Sequence, residues 1–410
     1  MLSFKLTDSI QRYGIEALVG NISHDGKYIF MIYENIIKPD KKVIEAELFR
    51  NDNGKLISLG EVYTDSFFDN ITEKDTGLVT LGYCSDDFKY FVLVELAPGN
   101  DMKYILRYRV LIFNIKFIDH CEYRVHNVSN LYATMSPLMD NMFIALYQKE
   151  NAGNGKVCLM KITDTNVVMM SDTTYRRLNE SSAFTSNNMY VVKYSGKYYA
   201  IYTYEWTKLI NLTSFGNPLK SKLCIQDSNL NNIITVDLTS PSLGVVLYKE
   251  DDIKIVCLNQ GVIRKYNKFI YNVGMDYYLT LLKNKSVDNL VLFSFNGKKL
   301  RKLNSYNIFT GFSTSINTLG NMFMLSVEAQ NENSKALNAN GLTYFPCYIL
   351  EDSIKLSRSL TGILGTGGYS FFPKFSHNGE WFICGCTVLN FNKQHEPINK
   401  NVQLYRIVTG

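Results

Sequence analysis

The chain has 410 residues, of which 46% are hydrophobic and 20% charged, so it can bury a large core and is not a disordered polymer. Its 43 Lys and Arg against 38 Asp and Glu leave a formal charge of +5, too slight for the basic footprint of a dedicated nucleic-acid binder, and no specific nucleic-acid partner is expected. Tyr 28 and Phe 24 against Pro 8 suit half-buried pleated strands better than helices.

The opening segment MLSFKLTDSIQRYG has no apolar stretch of signal-peptide length behind a basic segment. No uninterrupted apolar run approaches the ~20 residues that span a bilayer. A cytoplasmic or nuclear, non-secreted protein without a transmembrane segment is therefore expected. Cys84, Cys121, Cys158, Cys224, Cys257 and Cys347 sit in strand-like runs and read as reduced thiols. Cys384 and Cys386 would share one strand face but lack a second pair to complete a metal site. Abundant Asn, Lys, Ile and Tyr, all with AT-rich codons, point to an AT-rich genome.

A recurring pattern then organises the chain: a Ser, a short polar turn, and a run of aromatic and β-branched residues. It occurs at Ser23, Ser85, Ser136, Ser186 and Ser376, with weaker copies at Ser228 and around Ser313 to Ser315 and the most degraded near Gly274. Each copy reads as a hairpin joining the first two strands of a unit, with Asp or Asn supplying local side-chain bonds and Gly the left-handed position. Further tight turns at Asn53-Gly54 and Asn296-Gly297 add two more strands downstream. Four-stranded units repeating every 40–50 residues or so describe the blades of a β-propeller.

The spacing allows seven units of about 59 residues or eight of about 50, and eight are favoured, opening near residues 18, 78, 130, 182, 222, 267, 308 and 367. The last unit offers only three strands before Gly410, so residues 1–8 are expected to supply its fourth and close the ring. The predicted fold class is thus all-β, a single propeller domain over 1–410. Packed sandwiches or a large barrel would also give short alternating strands, but neither explains the recurring Ser turn.

At Phe375-Ser376-His377-Asn378-Gly379-Glu380-Trp381 and Ile22-Ser23-His24-Asp25-Gly26-Lys27-Tyr28 the sequence resembles the F-S-x-D/N-G-x-W/Y motif of WD40-like and TolB-like propellers. It lacks the Trp-Asp dipeptide and Gly-His opening of true WD40 repeats. The resemblance implies architecture, and a tendency toward non-catalytic platforms for other proteins; other propeller families host hydrolases, lyases and sugar binders.

No G-x-S-x-G nucleophile elbow occurs, and five histidines leave little material for His-based catalysis. His24 and His377, at equivalent positions in the first and last units, read as turn residues, with a paired imidazole site as the alternative. The Gly362–Gly368 run lacks the Lys-Ser/Thr of a phosphate loop. No cofactor or metal is expected.

Two basic features remain. Lys299 and Arg301 would share one face of an outer strand and could grip an acidic partner or phosphate. Arg176-Arg177 resembles the paired arginines of phosphoinositide-binding propellers, although Tyr175 and Leu178 replace the flanking Phe and Gly of that motif. The expected function is a non-catalytic scaffold binding other proteins through its face loops. The alternative is a propeller enzyme or small-ligand binder with its site in the central channel, and an anionic surface is a third, weaker partner class.

Overall fold

Short apolar runs rich in aromatic and β-branched residues, bounded by turn residues, recur along most of the chain, which suits buried strands better than helices. In a computed structural model every regular element among the described residues is accordingly a β-strand. The described residues are 2–409 except 14, 39–40, 61–77, 86, 99–103, 115, 150–152, 181, 187, 212–213, 239–240, 249–251, 260–287, 309–313, 320–321, 331–339, 357–369, 377 and 389–398. Among them no helix is long and apolar enough to cross a membrane.

The first four-stranded unit runs β2 (Ile15–Ile22), β3 (Tyr28–Lys38), β4 (Lys41–Asp52) and β5 (Lys55–Ser58), each antiparallel to the next. A continuous seven-stranded sheet follows, of β6 (Leu78–Cys84), β7 (Tyr90–Pro98), β8 (Tyr104–Asn114), β9 (Lys116–Met135), β10 (Met142–Lys149), β11 (Gly155–Ile162) and β12 (Val167–Tyr175). It is two units sharing one long strand. The first part of β9 pairs with β8 and its end with β10, and the changeover falls at Val128, opposite both Tyr104 and Lys149. Asn127, at φ 59, turns the chain there.

In the fourth unit β13 (Ser182–Thr185) and β14 (Met189–Tyr194) both pair with β15 (Lys197–Asn211), followed by β16 (Ser214–Asp227) and β17 (Asn232–Leu238). The fifth holds β18 (Pro241–Tyr248), β19 (Asp252–Asn259), β20 (Asp288–Phe295) and β21 (Leu300–Ile308). The sixth holds β22 (Thr314–Leu319), β23 (Met322–Gln330), β24 (Asn340–Leu350) and β25 (Ser353–Leu356). The last joins β26 (Ser370–Phe375), β27 (Trp381–Val388) and β28 (Asn399–Thr409) to β1 (Leu2–Tyr13) from the other end of the chain. The β1–β28 register runs from Leu2 opposite Thr409 to Tyr13 opposite Asn399, with a bulge between Leu6 and Asp8.

Neighbouring units touch in sequence around a ring: β2 packs on both β6 and β26, β26 on β22, β22 on β18, β6 on β9 and β13 on β9, while β18 meets β15, the second strand of the fourth unit. The molecule is an all-β propeller. Successive residues of one strand serve opposite cores, as β3 illustrates. Phe30 packs with Phe91, Leu93 and Leu111 of the second unit, while Ile29 and Met31 pack with Trp381, Ile383 and Leu404 of the last. Burial on both faces explains why the strands read as nearly continuous apolar runs.

The described residues form seven units, the fourth with its first strand in two pieces; seven is the lower of the two counts that the spacing allows. The residues near 222, expected to open a unit, lie inside β16, the third strand of the fourth unit, and Ser228 lies in the turn between its third and fourth strands. That turn resembles the others because any tight antiparallel connection draws on the same Asp, Asn and Ser chemistry. The opening near 267 and Gly274 fall outside the described residues. The Ser186 copy interrupts the first strand of its unit instead of ending it, and the hairpin follows at Ser195-Gly196. By contrast, the turns at Ser23, Ser85, Ser136 and Ser376 each join the first two strands of a unit, as expected.

Candidate functional site

The turn serines build one face of the ring. Ser23 Oγ accepts from the Tyr28 N–H at 2.9 Å and donates to Asp25 Oδ1 at 2.8 Å, while the Ser23 and Tyr28 backbones pair directly. Ser85 repeats this with Tyr90 and Asp87 at 2.9 and 2.5 Å, and Ser376 with Trp381 and Asn378 at 2.9 and 2.6 Å. The buried hydroxyl satisfies a strand N–H that leaves the ladder at the turn. Gly26 and Gly379 take φ 73 and φ 70 in these turns, and Phe88 takes φ 57 at the corresponding place in the second unit. Phe88 is held there by ring contacts with Tyr28 at 5.8 Å and Phe91 at 5.4 Å.

Two residues before each of these serines, a side chain is presented at the same rung of an innermost strand: Asn21 on β2, Tyr83 on β6, Thr134 on β9 and Lys374 on β26. Lys374 lies opposite Ile383, which packs toward β2, so its stem runs toward the first unit. Its ammonium reaches past that unit to the second, 5.1 Å above the Tyr83 ring. Burial pulls the Lys374 amine down to about 8, with the charge of Cys84 acting the other way. Sequence reading passed over this rung because its residue types differ from unit to unit. Aligning the chain on the turn serines would have found it.

The basic residues named from sequence lie elsewhere. Lys299 closes the turn before β21 and donates its N–H to Asn296 Oδ1 at 2.9 Å. Arg301, on β21, is exposed and reaches Asp352 of the neighbouring unit at 3.7 Å. Arg176 is exposed just after β12, at the opposite end of its unit from the tight turns, and Arg177 beside it is half-buried. The Arg177 N–H donates to Asn154 Oδ1 at 3.0 Å, its guanidinium donates to the Glu180 carbonyl, and its side chain lies against Gly153. The two pairs are on different units and are not brought together. His377 is outside the described residues, as are Gly362–Gly368 of the glycine run.

Other charges are engaged between strands. Arg107 pairs with Glu95 in the core between the first two units, and Arg109 makes a two-point contact with Asp119 at 2.5 and 2.8 Å. The Arg109 fork holds the Asp119 carboxyl below its usual range. Burial pushes the Cys158 and Cys224 thiols up to about 11 and the Cys257 thiol to about 12, which makes them poor nucleophiles. Among the described residues no group of three His, Cys, Asp or Glu could hold a metal ion.

An exposed apolar run stands on one outer strand. Val168, Met169 and Met170, on the outermost strand β12, are 37%, 45% and 55% exposed. Below them Ser171 and Thr173 bond to the Ser228 and Leu230 carbonyls of the next unit, leaving only the upper half of the strand uncovered.

No known protein family matches the chain, and no curated protein is similar to it in sequence. Solved structures are similar in shape at low identity. A prolyl endopeptidase superposes with a TM-score of 0.50 at 10% identity, over 95% of this chain, which spans only 50% of the length of that enzyme. The β-propeller domain of Cps50 (Swd1) from Myceliophteria thermophila gives 0.49 at 11% identity, over 96% of this chain and 99% of that domain. The WD40 domain of SCAP from fission yeast gives 0.42 at 8% identity, over 98% of each chain. At such identities the likeness concerns the fold alone.

Proposed function

We propose that this propeller is a non-catalytic scaffold that holds other proteins. The observation that carries the reading is the exposed run Val168-Met169-Met170 on an outer strand. Three consecutive exposed apolar residues on a strand with an open edge invite pairing with another chain, and soluble proteins ordinarily block such edges with charge or proline. Rigid turn serines on one face and bonded connections between units suit a platform that changes little on binding.

The test is purification of the tagged full-length chain from its native host at low salt, with sizing and mass spectrometry of the eluate. The scaffold reading expects a partner in stoichiometric amount that is lost when Met169 and Met170 are replaced by Lys. A partner-free monomer, or turnover abolished by changes at the ring centre, would contradict it. A second reading, a small-ligand binder with its site in the channel, is favoured by one observation: Lys374 on its innermost strand.

A further inference from the structure

Several cations drawn partly or wholly out of water in this protein come with carboxylates. Lys254, nearly buried, contacts Asp252 at 3.1 Å and Asp352 at 3.3 Å. Arg107 has Glu95, Arg109 has Asp119, Lys156 has Asp172, and Lys222 has Asp237. Half-buried Lys374 differs from these. Among the described residues its ammonium lies 5.1 Å from the Tyr83 ring centre, and no carboxylate lies within ion-pair distance.

Asn21 supplies an independent observation on the strand between. Its Oδ1 accepts the Ile22 N–H at 3.0 Å, which fixes the amide so that Nδ2 is turned away from that bond. Among the described residues Nδ2 has no acceptor. Three consecutive units therefore present, at one rung of the ring, an ammonium without a counter-charge, an amide donor without an acceptor, and an aromatic side chain.

We propose that Lys374, Asn21 and Tyr83 form a binding site at the ring centre for a small anion, a carboxylate or a phosphate. The anion supplies the charge Lys374 lacks and accepts from Asn21 Nδ2, while the Tyr83 ring walls one side. Hydrogen bonds between charged partners out of bulk water are the strong class, and a group meeting both donors gains over either alone. The lowered amine is what a half-buried cation without a counter-charge should show, and bound anion should reverse it. The site stands on these three residues and not on the scaffold reading: loss of a protein partner would leave it intact, and loss of anion binding would leave the partner surface intact.

Competitive acylation of the full-length chain, read by peptide mass spectrometry, tests it. The rate at Lys374 is compared with that at exposed Lys298, with inorganic phosphate in one arm and acetate in the other. Ionic strength is held constant so that screening does not imitate competition. The expected result is saturable slowing of Lys374 by about threefold or more in at least one arm, with Lys298 unchanged, as the bound anion holds the amine protonated. The arm that protects identifies the ligand as phosphate or carboxylate. Asn21→Ala should need about fivefold more anion for the same protection, the worth of one hydrogen bond to a charged group. If that variant fails to fold, Asn21→Asp, which places a negative charge at the rung, should abolish protection. An unchanged Lys374 to Lys298 ratio in both arms up to about 50 mM, a hundredfold above submillimolar affinity, would overturn the site, as would protection indifferent to Asn21.

Discussion

Asn378 donates its side-chain amide to the Asp25 carbonyl at 3.1 Å, and its backbone N–H to the His24 carbonyl at 3.2 Å, tying turns 353 residues apart in sequence. The motif that shapes each turn internally thus also bonds the last unit to the first. Trp381 lies across the same junction, against Gly26.

Replacing Gly26 separates this junction from simple backbone strain. A Cβ at Gly26, where φ is 73, would lie 2.4 Å from Trp381 Cδ1, whereas a Cβ at Gly379, at φ 70, meets nothing within 4 Å. Gly379→Ala should cost about 1 kcal/mol of unfolding free energy from the left-handed backbone alone, and Gly26→Ala about 2–4 kcal/mol. Urea denaturation of the two variants measures the difference; equal costs would mean that Trp381 does not press on the turn.

Ser85→Ala removes the acceptor of the Tyr90 N–H and the donor to Asp87 in a buried turn. A destabilisation of about 1–3 kcal/mol is expected, because the strand N–H is left without a partner away from water. Ser85→Thr keeps the hydroxyl and should recover part of it. Thermal unfolding reads both.

Acid sensitivity should pass in part through Asp119. Its carboxyl is held low by the Arg109 hydrogen bonds, so it binds a proton more readily in the unfolded chain than in the folded one. That stabilisation is present above the unfolded value near 4 and is lost as pH falls through the folded value. Asp119→Asn should therefore be less stable than the parent at pH 7, with the gap closing as pH drops below about 4. A gap that stays constant from neutral to acid pH would show that the ion pair does not contribute.

Met169→Lys and Met170→Lys should each change unfolding free energy by no more than about 0.5 kcal/mol, since the side chains are exposed and pack on little. Loss of partner retention without loss of stability is the signature of a docking strand. A large destabilisation would mean that the run packs against other parts of the protein.

The repeat was legible because its chemistry is local. Ser23, Ser85 and Ser376 bond to groups two and five residues ahead, so the pattern is written in consecutive letters. The closing strand was legible for a related reason: three strands at the end of the chain want a fourth, and β1 pairs with β28. The place of Ser228 was not, because it sits in a turn of similar composition one strand pair later, and nothing in its sequence says which pair it joins. The central rung was invisible for the opposite reason. Lys374, Asn21 and Tyr83 are related only by ring geometry, and each alone is an ordinary residue in a strand.

The ring underlies both the proposed docking strand and the central rung, and its seam can be tested covalently. Lys5 and Arg406 lie opposite one another in the β1–β28 register, and both are exposed. In the double variant Lys5→Cys/Arg406→Cys, mild oxidation should form a disulfide, seen as one linked peptide pair by mass spectrometry. Tm should rise on oxidation, because the bond closes a loop of nearly the whole chain, worth about 6 kcal/mol in the entropic limit. Two free thiols after oxidation, with the protein otherwise folded, would contradict the closed ring.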